Sequence, residues 1–263
     1  MRKPFKGVNG DRYYSLEDIP EGAMFNDINL SETDFAELPK VLSTLMIKAL
    51  SIYRCVRITS LEGLPKGLEK LDCGATGITS LKGLSEGLKE LYCWNTGITS
   101  FEGLPRSVEK LSCWKTRITS LKGLPKGLKE LDCSYTNITS LEGLPKGVEK
   151  LDCSSTLITS LKGLHEGLKE LRCVNTNIVS LEGCPKSVEI IDCRKCCNIK
   201  YIPDYISDKA IIGLSKEEIA KCKANWKKEQ ERKKILERQK TEIMDRFMKI
   251  VKASSHTNTR VGS

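Results

Sequence analysis

The stretch from Leu61 to Ser80, LEGLPKGLEKLDCGATGITS, recurs in phase from 81, 101, 121, 141, 161 and 181, so most of the chain is one 20-residue unit written seven times. A strict period excludes nearly every globular topology. Each copy must be one supersecondary unit that buries its apolar face only by stacking on the next. Within the unit, Lys70-Leu71-Asp72-Cys73-Gly74 alternates, with Leu71 and Cys73 inward and the other three outward. That is the period of a short strand. The segment Gly63-Leu64-Pro65-Lys66-Gly67 breaks any helix, so the return path is extended or turned. A parallel sheet lining a concave face, with a helix-free convex side, follows.

The spacing L-x-x-L-x-C-x-x-T-x-I, at Leu68, Leu71, Cys73, Thr76 and Ile78, resembles the leucine-rich repeat pattern L-x-x-L-x-L-x-x-N-x-L. The short period and the GLPKGL segment are similar to the bacterial effector subtype of that repeat, the YopM and IpaH-like family, over roughly residues 28 to 206. The resemblance implies an α/β-class leucine-rich repeat solenoid that binds a protein. Some IpaH-like relatives add a large ubiquitin-ligase domain with a catalytic cysteine. The residues after 206 are too few to hold one, and Cys222 has no histidine beside it.

Degenerate copies flank the regular ones. Ile28 to Phe35 fits L-x-L-x-x-T-x-L, and Leu50 to Cys55 fits with one extra residue before Ile58. Nine strands are expected, starting near 28, 50, 71, 91, 111, 131, 151, 171 and 191. The expected organisation is an N-terminal cap over 1–27, a solenoid over 28–206, a basic helical segment over 207–253 and a disordered tail over 254–263.

Cysteines 73, 93, 113, 133, 153, 173 and 193 keep the same period. A disulfide framework has no need of one, whereas a repeated core position does. Cysteine behaves as a small apolar group when buried, and a linear ladder does not converge four ligands on a metal. Cys193, Cys196 and Cys197 form a C-x-x-C cluster, but two of them fall on repeat core positions. No metal and no cofactor is expected. The threonine column, Thr76 to Thr176, stands where the family has asparagine, turning the chain and bonding neighbouring backbone groups. Columns 62, 69 and 70 alternate Glu and Lys down the stack, so a slip of one repeat would set like charges together.

Function is sought where outward positions vary within this constant frame. Column 72 runs Asp72, Tyr92, Ser112, Asp132, Asp152, Arg172, Asp192, and column 74 carries Trp94 and Trp114 on neighbouring strands. Aromatic residues beside Asn and Lys have the composition of a binding hot spot. Tyr92, Trp94, Asn95, Trp114, Lys115, Tyr135 and Arg172 are therefore the candidate partner-binding residues, with packing of the aromatics on one another as the bland alternative.

Ser215-Lys216-Glu217-Glu218 is a capping box opening a helix expected from about 216 to 252. Ile219, Cys222, Trp226, Leu236, Ile243, Phe247 and Ile250 recur at helical spacing. This segment holds 13 Lys and Arg against 7 Asp and Glu, most of the net charge of +9. Docking on the last repeat is the favoured role. Helix pairing, or attraction to an anionic membrane or nucleic acid, is the alternative. No apolar run long enough to span a membrane and no Sec-type signal is present. The expectation is a monomeric, non-enzymatic interaction protein, cytoplasmic or delivered into a host cell by a non-Sec route, with nucleic acid not the expected partner. Ubiquitin-ligase or polyanion-binding activity is the alternative.

Overall fold

A computed structural model describes the backbone of residues 5–257 and the side chains of residues 5–249. A small antiparallel hairpin, β1 (Phe5–Lys6) and β2 (Arg12–Tyr13), opens the chain. Ten parallel strands follow in one sheet: β3 (Met24–Asn29), β4 (Met46–Ser51), β5 (Lys70–Asp72), β6 (Glu90–Tyr92), β7 (Lys110–Ser112), β8 (Glu130–Asp132), β9 (Lys150–Asp152), β10 (Glu170–Arg172), β11 (Ile190–Asp192) and β12 (Ile211–Ile212). Their spatial order is their sequence order, so every strand pairs only with its predecessor and successor. The register Lys70↔Glu90, Leu71↔Leu91, Asp72↔Tyr92 repeats down the stack. This is the expected parallel-strand solenoid, and it ends in one helix, α1 (Lys216–Thr257).

Two details differ from the sequence reading. The sheet has ten strands where nine were expected. Ile211 pairs with Ile191 at the same 20-residue offset, but no Gly-Leu-Pro segment announces it; a 3-10 turn at Asp208–Ala210 brings the chain back instead. Helix α1 also runs into the stretch expected to be tail, and 258–263 lie outside the described residues.

The core is a stack of identical layers. Leu61, Leu68, Leu71, Cys73 and Ile78 are at most 1% exposed, and the corresponding positions of the next five repeats are buried as well. Burying a side chain of this size stabilises by about 1.5–3 kcal/mol. The convex side is turns without α-helix, and one glycine column explains how it closes. Gly103 sits at φ 86°, where a Cβ would stand 2.9 Å from the Leu81 carbonyl of the preceding repeat. Only glycine combines that left-handed backbone with so close an approach.

Eleven cysteines are buried and Cys197 is exposed. Burial pushes the thiols of Cys73, Cys93, Cys113, Cys133 and Cys153 up, because a thiolate there would lose its water. Among the described residues, no three His, Cys, Asp or Glu side chains converge as a metal site. The threonine column closes its turns by bonding nearby backbone. Each hydroxyl donates within its own repeat, Thr136 to the Cys133 carbonyl at 2.6 Å and Thr76 to that of Cys73 at 2.7 Å. Cys55 and Cys196 take the threonine place in the outer repeats, and their thiols donate to the preceding repeat, at Leu30 and Cys173.

The capping box is formed: the Glu218 N–H donates to Ser215 Oγ at 3.2 Å, and the Ser215 N–H to Glu218 Oε2 at 2.7 Å. Helix α1 docks through Ile219 and Cys222, buried against the last turns, with Trp226 half-buried. Lys223 Nζ reinforces the contact by donating to the Ile206 carbonyl at 2.7 Å. Leu236, Ile243 and Phe247 are exposed, and the Ile250 side chain lies outside the described residues. Among the described residues, no helix is long and apolar enough to cross a membrane.

Candidate functional site

The concave face is built from columns 70 and 72, which point away from the core on every strand. In column 70 the alternating charges pair two by two: Lys70–Glu90 at 3.1 Å, Lys110–Glu130 at 2.9 Å and Lys150–Glu170 at 3.9 Å. Each exposed pair is worth at most about 1 kcal/mol. Tyr92 lies among these charges, its hydroxyl donating to Glu90 Oε2 at 3.0 Å and its ring 5.2 Å from Lys70 Nζ. Partial burial works upward on the Glu90 carboxyl, but the hydrogen bonds from Lys70 and Tyr92 outweigh it and hold the group below the ordinary carboxylate range. Arg172 closes the far end of the same trough, its Nε donating to Glu170 Oε1 at 3.2 Å. On the floor between them, Asp132 and Asp152 are opposite each other in the register. Burial, with Asp152 adding to it, raises the Asp132 carboxyl.

Past the strand ends the chain turns through one strained residue per repeat. Glu32, Arg54, Ala75, Asn95, Lys115, Tyr135, Ser155, Asn175 and Lys195 all have φ between 51° and 62°. In this conformation a side chain costs roughly 1–2 kcal/mol except at glycine or, less so, asparagine. The inter-repeat ladder holds all of them but Lys195 there. The Ala75 N–H donates to the Trp94 carbonyl, Asn95 to Trp114 and Lys115 to Ser134, all at 2.9 Å. Asn95, Lys115 and Tyr135 are thereby aimed outward, and Tyr135 is 62% exposed.

The aromatic residues form a row across the sheet. The Trp94 and Trp114 rings stack 4.9 Å apart at 9°. Trp114 meets Tyr135 edge-on at 6.4 Å, and Trp94 meets Tyr53 at 5.1 Å. So Trp94, Trp114 and Tyr135 come together, flanked by Asn95 and Lys115, whereas Tyr92 and Arg172 lie apart from the row on the strand face. Tyr53 was missed by the column reading. The preceding repeat is one residue longer, with Ala49 pairing to Lys70, so Tyr53 falls outside a strict 20-residue grid. Gly74 completes the row by having no side chain: Trp94 lies across it, and a Cβ there would be 2.6 Å from Trp94 Cε2.

Column 72 shows why these repeats stand out. Asp72, Asp132, Asp152 and Asp192 each accept the N–H two residues on, from Gly74, Ser134, Ser154 and Arg194, at 2.9–3.3 Å. This Asx turn locks the strand end. Where column 72 is not Asp, at Tyr92, Ser112 and Arg172, column 74 holds Trp94, Trp114 and Val174. Apolar bulk replaces the polar lock there.

Cys222, the thiol a ligase reading would need, is buried, and its S–H donates to the Ile199 carbonyl at 3.3 Å. Burial raises that thiol, the opposite of what activates a nucleophile.

A parallel strand per 20-residue turn, an inward Leu-x-Cys and an outward variable face define a leucine-rich repeat solenoid. No family model and no curated protein matches the sequence. Solved structures do. YopM from Yersinia enterocolitica WA-314 aligns over 73% of this chain and 46% of its own, at 23% identity and a TM-score of 0.57. An internalin, inlF, from Listeria monocytogenes aligns over 76% of this chain and 65% of its own, at 15% identity and a TM-score of 0.55. The functional domain of InlJ from Listeria monocytogenes, which includes a cysteine ladder, aligns over 68% of this chain and 46% of its own, at 20% identity and a TM-score of 0.50. At these identities the likeness establishes the fold. The chain spans less than two thirds of each of these proteins.

Proposed function

We propose that the protein is a non-enzymatic interaction module that binds another protein through its concave face and the aromatic row at its rim. The carrying observation is the row Tyr53–Trp94–Trp114–Tyr135, whose stacked tryptophans are half-buried and stand in repeats that have given up the Asp lock. Tryptophan and tyrosine at a rigid surface supply large contact area at small entropic cost. The neutral pairing of column 70 leaves that flank without a strong field of its own. What supports a non-enzymatic role is the burial of Cys222, which raises its thiol instead of activating it. The fold it shares with YopM supports an effector or scaffold role, in the cytoplasm or in a host cell reached by a non-Sec route.

The test is affinity capture with wild type and the Trp94→Ala/Trp114→Ala variant, each checked for folding by circular dichroism. Partners captured by wild type are expected to be lost from the folded variant. Retention of all of them sinks the reading.

A further inference from the structure

We infer that the aromatic rim recognises an acidic segment of its protein partner, lying in extended form across the strand ends. The inference rests on the reading of the rim as a binding surface and adds the chemistry of what binds. Three neighbouring turns form the rim: Trp94-Asn95-Thr96-Gly97, Trp114-Lys115-Thr116-Arg117 and Ser134-Tyr135-Thr136-Asn137. They contain two cations and no acid.

Elsewhere along the same edge, the cations other than Lys195 are matched within the chain. Arg54 holds Glu32 and Arg57 holds Asp34, both at 3.2 Å, and Arg194 grips Asp192 at 2.7 Å. Lys115, Arg117 and Lys195 have no carboxylate within 4.0 Å among the described residues, and two of these three flank the tryptophans. Lys115 is moreover held at φ 57° by the bond from its N–H to the Ser134 carbonyl, which fixes its Cα–Cβ bond and leaves the side chain exposed.

The row also limits what can bind. Trp94 and Trp114 each give one indole face to the other; the second side of Trp94 lies across Gly74 and against Tyr53, and Tyr135 meets Trp114 edge-on. The rings are thus engaged mainly with one another, unlike the free aromatic faces of single-strand nucleic-acid platforms. The indole and phenol edges remain, and they suit apolar side chains of a peptide. Acidic groups beside those side chains would meet Lys115 and Arg117.

The probe is a phage-displayed library of random linear peptides, selected on the whole chain, with enriched sequences synthesised and titrated by fluorescence anisotropy. Three proteins are compared: wild type, Trp94→Ala/Trp114→Ala, and Lys115→Asp/Arg117→Asp. The last changes exposed side chains, and aspartate tolerates the left-handed backbone better than most residues, so it keeps the test meaningful if the tryptophan variant unfolds. The expected outcome is enrichment of Asp and Glu next to aromatic or aliphatic residues, with binding weakened about tenfold or more in both variants. Tryptophan-dependent peptides that are neutral or basic, and indifferent to the charge reversal, would overturn the acidic assignment while leaving the rim as a protein site. Peptides indifferent to all four substitutions would overturn both. No enrichment, or displacement of the peptide by single-stranded polyuridylate, would also refute the inference.

Discussion

Gly74 and Ala75 are neighbours in one turn, and changing each into the other should move stability in opposite directions. Gly74 is outside the left-handed region, so alanine fits its backbone. Its added Cβ, however, would sit 2.6, 2.7 and 2.9 Å from three atoms of the Trp94 indole. The ring must slide, disturbing the 5.1 Å contact with Tyr53 and the 4.9 Å stack on Trp114. Such pairs contribute about 0.5–1.5 kcal/mol each beyond area burial. Against this stands a gain of about 0.4–1 kcal/mol from stiffening the unfolded chain. The net expectation for Gly74→Ala is a loss of about 1–2 kcal/mol. Ala75 lies at φ 54°. Ala75→Gly removes a strain of about 1–2 kcal/mol and adds about 0.5–1 kcal/mol of backbone entropy to the unfolded state, for a net gain of about 0.5–1 kcal/mol. Thermal unfolding reads both, since 1 kcal/mol moves the Tm by about 2–4 °C in a chain of this size. The circular dichroism couplet of the stacked indoles should weaken in Gly74→Ala and persist in Ala75→Gly. Two Tm values moving the same way would refute the reasoning, as would a Gly74→Ala protein with an unchanged couplet.

Further expectations are open to direct measurement. Titration of the folded protein with a thiol reagent should find one fast cysteine, the exposed Cys197, and the other eleven only on unfolding. Thr136→Val should cost about 1–2 kcal/mol in denaturant unfolding, because it leaves the buried Cys133 carbonyl without its 2.6 Å donor. The hydrogen bonds from Arg194 hold the Asp192 carboxyl below its ordinary range, partial burial opposing them. Its stabilisation is therefore complete above the ordinary aspartate pKa of about 4 and lost as pH falls through the folded value, so the gap between wild type and Asp192→Ala should close in acid. Asp132 has the opposite sign: burial raises it, so its ionised form is the disfavoured one. Asp132→Asn should stabilise at neutral pH, and that advantage should vanish below the ordinary aspartate range.

The period made the solenoid legible because one rule, an inward Leu-x-Cys, is obeyed in six consecutive layers, β5 to β10. What stayed hidden was whatever departs from the grid. β12 lacks the glycine–proline frame, and Tyr53 is displaced by a single inserted residue, although the sheet restores both to their columns. The left-handed turn at Ala75 and its counterparts was invisible for another reason. Alanine, lysine, tyrosine and serine have no preference for it, and the hydrogen bonds from the next repeat impose it. The stacking of Trp94 on Trp114 was half legible. Their adjacency followed from the period, but the bland alternative and the functional one turned out to describe the same geometry.

That coincidence bears on how a partner is recognised. Rings that pack on one another lose freedom before any partner arrives, so binding at their edges costs less ordering entropy than it would for free side chains. The four Asp-locked repeats do for the backbone what the stack does for the rim. Asp72, Asp132, Asp152 and Asp192 each fix a strand end through an N–H two residues on. Where Tyr92, Ser112 and Arg172 replace the aspartate, the turn keeps its left-handed residue at Asn95, Lys115 and Asn175 and so keeps its shape. The inter-repeat hydrogen bonds alone suffice to hold it. The side chains released from locking are then free to vary, and in two of these three repeats column 74 carries the chain's paired tryptophans. An aspartate restored at 92 with serine at 94 would be expected to give a turn of the same shape as those at 132 and 152, with no aromatic surface on it.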